Sequence, residues 1–237
     1  MNIIADLHTH TISSGHAYST VNELATAASQ AGLQALAITD HGPSMPGGPH
    51  RYHFSAMRFI PRTIAGVRIL RGIEANVLDD RGTLDLEEPV LEELDFVLAG
   101  LHENCGYCGK DRDRNTETLL KVMANPRVRC ISHPGNPVYP LHYEVVAKAA
   151  LDTRTALEIN NSSLGLSRKG SCENCLEIAK ICAAIGAPIM IGSDAHIAQA
   201  VGIFDDALAL AQSAGIREEQ VINASYPRLL EFLGLEN

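Results

Sequence analysis

Seven short apolar runs of strand length recur along the chain, separated by segments long enough to be helices. That alternation marks repeated βα units around a parallel sheet. The runs lie at residues 3–8, 35–41, 68–75, 95–102, 129–133, 156–160 and 188–194. Amphipathic stretches at 21–31, 116–124, 143–151, 174–184 and 198–214 read as the helices between them, and 225–233 as a closing helix. Gly32, Gly186 and Gly215 stand where helix C-caps are expected. Asp79-Asp80-Arg81-Gly82 has turn chemistry and predicts a small hairpin after the third strand. Seven strands fall one short of the usual eight-stranded barrel. The expectation is therefore an α/β chain folded as a single-domain, distorted seven-stranded (β/α)7 TIM-like barrel over residues 1–237, preferred to a doubly wound sheet.

Composition narrows the partners. The longest apolar runs are far short of the ~20 residues that span a bilayer, and the first residues lack a basic segment followed by an apolar one. A cytoplasmic protein with no membrane partner is expected. A formal charge of -9 argues against nucleic acid, whose backbone is bound by clustered Lys and Arg, and favours a small substrate. The six cysteines read as reduced thiols rather than a disulfide framework. Cys105/Cys108 and Cys172/Cys175 have the spacing of a four-thiolate zinc site, but two distant pairs would have to meet.

The chemistry lies at the strand ends. Six of the seven runs finish in a metal-binding residue type: His8 with His10 beyond it, His41, Glu74, His102, His133, and Asp194 with His196 beyond it. In a βα barrel the C-terminal strand ends converge on one face, so these side chains are expected to meet at the mouth, together with His16. His8 and His10 alternate on an extended chain and can share one ion. Asp6 lies on the same face, a candidate to orient a ligating imidazole. Asp194 and His196 repeat the arrangement, although Asp194 also suits a helix N-cap. Glu74 suits a carboxylate bridge between ions, and its plain alternative is a buried ion pair with Arg68 or Arg71. Glu74 and Asp194 are the carboxylates placed at the reaction itself. The plain reading of His50, His53 and His142 is solvent-facing, while the Gly- and Pro-rich segment 42–53 can fold over the mouth.

Imidazole and carboxylate ligands without cysteine suit zinc first, then manganese or iron. Three divalent ions against two carboxylates leave a surplus of about four positive charges, which attracts anions into an acidic protein. Metals ~3.5–4 Å apart share a hydroxide nucleophile and stabilise both oxygens of a phosphoryl displacement. Phosphomonoester hydrolysis follows as the expected reaction. The loop at 162–170, after the one strand that ends without a ligand, offers Arg168 and Lys169 to grip the phosphate, or as an ordinary solvated basic loop.

The motifs Asp6-Leu7-His8-Thr9-His10, Thr39-Asp40-His41-Gly42, Gly72-Ile73-Glu74, His133-Pro134 and Gly192-Ser193-Asp194-Ala195-His196 resemble, in order, those of the polymerase and histidinol phosphatase (PHP) superfamily. The stretches His16-Ala17-Tyr18-Ser19-Thr20, Ile131-Ser132-His133-Pro134-Gly135-Asn136-Pro137 and Glu158-Ile159-Asn160-Asn161-Ser162-Ser163 look most similar to its YcdX-like metal-dependent phosphatases. The resemblance implies a trinuclear, usually zinc, phosphoesterase and, in similar members, homo-trimers. It assigns His8, His10, Glu74 and Asp194 to one ion, Glu74, His102 and His133 to a second, and His16, His41 and His196 to a third. The pair Cys105/Cys108 just after His102 departs from the pattern. Two other readings stay open: an amidohydrolase-type C–N hydrolase, which also uses His-x-His and a late Asp, and a non-catalytic metal-binding protein.

Overall fold

A computed structural model describes residues 1–236, and each of the seven apolar runs contains a strand of its sheet. The strands are β1 (Ala5–Asp6), β2 (Ala35–Ile38), β3 (Thr63–Ile64), β4 (Val67–Asn76), β5 (Phe96–Gly100), β6 (Cys130–Ile131), β7 (Ala156–Asn160) and β8 (Ile189–Gly192). Seven of them pair in parallel in chain order, β1-β2-β4-β5-β6-β7-β8. The eighth, β3, was not expected; it is a short antiparallel neighbour of β4. Around them run α1 (Val21–Gln30), α2 (Tyr52–Ala56), α3 (Glu88–Leu91), α4 (Arg112–Met123), α5 (Tyr143–Thr153), α6 (Ser171–Ile185), α7 (Asp205–Ser213) and α8 (Tyr226–Leu233). The 79–82 turn forms as expected: Leu78 N–H donates to the Thr83 carbonyl at 2.8 Å, and Val77 pairs antiparallel with Leu84.

The sheet curls into a nearly closed barrel. Past the ends of β1 and β8, Thr9 pairs in parallel with Ala195, and His10 N–H donates to the Ala195 carbonyl at 2.8 Å. Lower in the seam the buried Asn223 stands in for a strand. Its amide donates to the carbonyls of Ala5 (2.8 Å) and Ile191 (2.7 Å), and its Oδ1 accepts from Ile191 N–H at 3.2 Å. Buried backbone groups that lack a partner are costly, and one side chain satisfies both edges here.

Strand alternation then sorts the side chains. Outward residues such as Leu36, Ile38, Ile69, Ile73, Leu157 and Ile159 pack under the helices. Inward residues form a second cluster, with Leu70, Leu98, Phe96, Ala156 and Met190 resting on Leu229 and Leu233 of α8. Above this apolar floor comes a layer of glycine. A Cβ at Gly72 would lie 2.7 Å from the Phe96 carbonyl oxygen, at Gly100 2.4 Å from Ser132 Oγ, and at Gly192 2.3 Å from Glu158 Oε1. Glycine in a strand interior marks such close approaches, and here it leaves room for the polar residues one step higher.

One expected helix is interrupted. Residues 198–214 divide into a 3-10 turn (Ala198–Ala200) and α7. Gly202 between them adopts φ +77° and donates its N–H to the buried Asp6 Oδ2 at 3.0 Å, a geometry a continuous helix does not allow. All six cysteines are free, and among the described residues no cluster suited to a metal includes one. Burial pushes the Cys105 thiol up to about 11 and those of Cys175 and Cys182 to about 12, while Cys108 and Cys172 are exposed. A thiol reagent at pH 8 should therefore titrate two cysteines rapidly and the other four only after denaturation; a third fast thiol would contradict the packing described.

Candidate metal centre

The upper ends of β6 and β8 and the loop after β7 hold their site residues in backbone conformations that L-residues rarely adopt. Asp194 has φ +58°, His133 φ +33° and Arg168 φ +48°. Such strain persists only where surrounding contacts over-determine it, and the contacts are present. Ser193 beside Asp194 donates Oγ–H and N–H to Asp6 (2.5 and 3.2 Å). His133 N–H donates to Glu158 Oε2 at 2.8 Å. Arg168 donates to Asp194 Oδ2 at 2.9 Å and to the hydroxyls of Ser163 and Ser167, both at 3.0 Å.

Glu74, fully buried, stands at the middle. Its Oε1 lies 2.9 Å from His133 Nε2 and 3.1 Å from His102 Nε2. Its Oε2 lies 3.1 Å from His41 Nδ1, 3.2 Å from His8 Nε2 and 3.4 Å from His10 Nε2. The two oxygens of one carboxylate thus face two separate groups of imidazoles. Asp194 Oδ1 adds 3.3 Å to His10 Nε2 and 3.5 Å to His8 Nε2. The His16 ring lies 5.1 Å from that of His41 and 5.0 Å from that of His196. All nine side chains singled out by sequence therefore gather at one mouth. The ion-pair alternative for Glu74 is not realised: Arg71 bonds the carbonyls of Arg58 and Ile60, and Arg68 reaches Tyr226 and Glu236.

A supporting ring orients these rings, and sequence reasoning missed most of it. Glu158 Oε1 lies 2.7 Å from His8 Nδ1, which turns Nε2 to the centre. Its Oε2 accepts from the His133 backbone and from Asn160 Nδ2 (3.1 Å), and Asn160 also donates to Asp194 Oδ2 at 3.2 Å. The imidazole partner is thus Glu158 and not Asp6, whose carboxylate is taken up by the backbone of His8, Ser193 and Gly202 and by the Ser193 hydroxyl. Asp40 accepts from Ser14 Oγ at 2.7 Å, and Ser14 Oγ lies 3.1 Å from His10 Nδ1. His53 also meets Asp40, at 3.2 Å, so it is not simply solvent-facing; His50 is exposed, and His142 pairs with Asp113 near the surface. His196 holds its Nδ1 2.9 Å from the Asp194 carbonyl oxygen. A signal for Glu158 did exist: a carboxylate in the middle of an apolar strand, in step with Asn160 on its inward face.

Charge and solvation fit a metal ligand set. Burial pushes the imidazoles of His10, His16 and His41 down, and burial with Arg168 brings His133 to about 4. Burial alone would raise Glu74 and Asp194, but His8 and its neighbours hold both well below the usual carboxylate range. Neutral imidazole and ionised carboxylate are the ligating forms. The exception, His8, is raised because Glu158, Glu74 and Asp194 together outweigh its burial. Five buried atoms that face one another lack any hydrogen-bond partner: His8 Nε2, His10 Nε2, His41 Nδ1, Glu74 Oε2 and Asp194 Oδ1. Buried polar atoms are rarely left so. Three tight groupings suited to an ion overlap here: His8/His10/Asp194, His41/Glu74/His102 and His10/His41/His196.

A cavity of about 560 Å³ opens from this centre, with His16, His41, His102, Arg168, Asp194 and His196 in its wall. Met45 brings the 42–53 segment to that wall; Lys169 is exposed and outside it. The PHP domain family model matches residues 6–138, more than half of the chain. The protein belongs to the PHP domain family. It is 51% identical over 230 residues to a protein named "Probable phosphatase" from Syntrophotalea carbinolica, covering 97% of this chain and 95% of that one. A "Probable phosphatase" from a Thermoanaerobacter species is 47% identical over 233 residues, 98% of this chain and 95% of the relative. Among solved structures, histidinol phosphate phosphatase from Lactococcus lactis, complexed with zinc, L-histidinol and phosphate, superposes with a TM-score of 0.62 at 17% identity, over 92% of this chain and 95% of that one. That likeness supports the barrel of this PHP protein. Among the described residues no helix is long and apolar enough to cross a membrane.

The glycine layer gives a direct test of how tightly the centre is packed. Gly192→Ala places a methyl group 2.3 Å from Glu158 Oε1 and 3.0 Å from His8 Cβ. It should cost roughly 1–3 kcal/mol of stability, read as a lower urea midpoint at an unchanged slope. An unshifted midpoint would show that Glu158 moves freely.

Proposed function

We propose that this chain is a metal-dependent phosphatase that hydrolyses small phosphomonoesters, with residues 1–237 acting as one catalytic domain. The carrying observation is the convergence of unpartnered buried donor atoms around a carboxylate whose two oxygens face different imidazole groups. Three divalent ions, zinc foremost and manganese or iron as alternatives, would be held by His8, His10, Glu74 and Asp194; by Glu74, His102 and His133; and by His16, His41 and His196. When bound, such ions supply Lewis acidity toward phosphoryl oxygens and an activated water. The names of the relatives that match nearly the full chain support the reaction class.

The chain's own contribution is position. Glu158 fixes the His8 ring and the His133 backbone with its two oxygens, so the ligand groups on either side of Glu74 move together. Arg168, braced by Asp194 and two serine hydroxyls at the cavity wall, presents a guanidinium to phosphate oxygens, which it matches as a planar fork. Lys169 supplies only a more distant positive charge. The substrate is a small phosphorylated metabolite, and a homo-oligomer is compatible with a mouth built entirely by one chain.

Three measurements test the reading. The metal-loaded protein should release phosphate from phosphomonoesters and leave amides intact, and chelation should abolish turnover; amide cleavage without phosphate release would favour an amidohydrolase. Glu74→Ala should lower the bound metal by more than one ion in elemental analysis, and retention of the full complement would remove the bridging role. Arg168→Gln should raise KM about 10- to 100-fold, as expected for losing charge-assisted hydrogen bonds worth ~1.5–3 kcal/mol; an unchanged KM would remove Arg168 from phosphate binding.

A further inference from the structure

The cavity beyond the histidines is walled unevenly. Met45 and Leu101 lie in its wall, and Leu166, Ile197 and Ile203 line it with much of their surface open to solvent: 95%, 43% and 46%. Leucine left almost wholly in water forgoes the gain from burial, and exposed apolar groups gathered in one concavity mark a binding surface more often than chance exposure does. Leu166 is held there rather than stranded. Its N–H donates to the Ser162 carbonyl at 3.0 Å, and Arg168, two residues on, is pinned to Asp194.

Several polar groups of the same wall are already engaged, while the Glu103 carboxylate and the side-chain amide N–H groups of Asn136 and Asn161 hold no hydrogen bond among the described residues. Ser162 Oγ and Ser167 Oγ bond each other at 3.0 Å, and Ser167 Oγ also accepts from Arg168. Asn161 Oδ1 accepts from Ala207 N–H at 2.9 Å, and Asn136 Oδ1 from Val138 N–H at 3.1 Å. A polyol or sugar entering here would exchange water for a wall whose one uncommitted carboxylate is Glu103 and whose serine hydroxyls are already engaged, and discrimination for hydroxyls requires free partners.

We propose that this site selects phosphomonoesters whose alcohol portion is apolar, an alkyl chain or an unsubstituted ring, over sugar and polyol phosphates. The inference rests on the phosphatase reading for turnover, but the wall is testable by binding alone. Alkylphosphonates carry the same chain on a C–P bond that hydrolysis does not cleave. Calorimetry on the metal-loaded protein should show hexylphosphonate binding at least about tenfold more tightly than methylphosphonate, since several methylenes become buried. In Leu166→Ser/Ile203→Ser the ratio should fall toward one. Both side chains are substantially exposed, so the variant is not expected to unfold, and circular dichroism would verify this. In turnover, kcat/KM should rise along the series from methyl to hexyl phosphate and exceed that for glycerol 3-phosphate, an ester of comparable leaving-group reactivity. Equal phosphonate affinities, or a preference for glycerol 3-phosphate, would overturn the proposal. A preserved hexyl preference without phosphate release from any ester would leave the apolar wall standing and overturn the phosphatase reading instead.

Discussion

Placing an ionised carboxylate at zero exposure costs several kcal/mol unless it is well paired, and Glu74 meets that condition without a single arginine or lysine in salt-bridge contact among the described residues. Five imidazoles surround it, and most of them are held neutral by the same burial. His8, which Glu158, Glu74 and Asp194 hold toward its charged form, offsets only part of the negative charge gathered here. The arrangement makes physical sense around cations, and much of the barrel's upper half is organised to keep it in place. Glu158 and Asn160 on β7, Asp40 with Ser14, and Asp6 with Ser193 each satisfy a group that would otherwise compete for the centre.

That demand explains features of the fold that do not concern chemistry directly. The three inward glycines of β4, β5 and β8 mark the boundary between the apolar floor on α8 and the polar mouth. Removing their Cβ atoms costs strand propensity and gives the volume in which Glu158 and His102 turn toward the centre. Asn223 closes the seam below, so β1 and β8 can be short and still deliver His8, His10, Asp194 and His196 side by side. Asp6 ties β1, the residue before Asp194 and the break at Gly202 to one buried carboxylate, which burial pushes toward higher pKa against the hydrogen bonds it accepts.

The barrel and the gathering of nine side chains were legible because both follow from periodicity: strand ends converge whatever the intervening loops do. Element centres were read correctly at 156–160 and 143–151 for the same reason. What escaped depended on contacts between segments remote in sequence. Asp6 shares a strand face with His8, so proximity suggested it as the ring's partner, yet the His8 ring turns to Glu158, 150 residues away. The break at Gly202 followed from the need to reach Asp6, which no helical periodicity reports. Asn223 looks like an ordinary loop asparagine until the two sheet edges are seen to need a partner. Lys169 shares a basic dipeptide with Arg168, but only Arg168 turns inward, because Asp194 lies where its guanidinium can reach.

The two carboxylates at the centre divide their oxygens in the same manner, and in the proposed function this would link metal holding to substrate holding. Glu74 gives one oxygen to His102 and His133 and the other to His8, His10 and His41. Asp194 gives Oδ1 to His8 and His10 and Oδ2 to Asn160 and Arg168. A continuous chain of contacts thus runs from His133 across the centre to the guanidinium at the cavity wall. In the proposed function a phosphate gripped by Arg168 would be located relative to the metal-holding side chains through this one carboxylate. The rare backbone conformations at His133, Asp194 and Arg168 fall at the ends and the joint of that chain, where placing a side chain accurately outweighs the local cost of φ above zero.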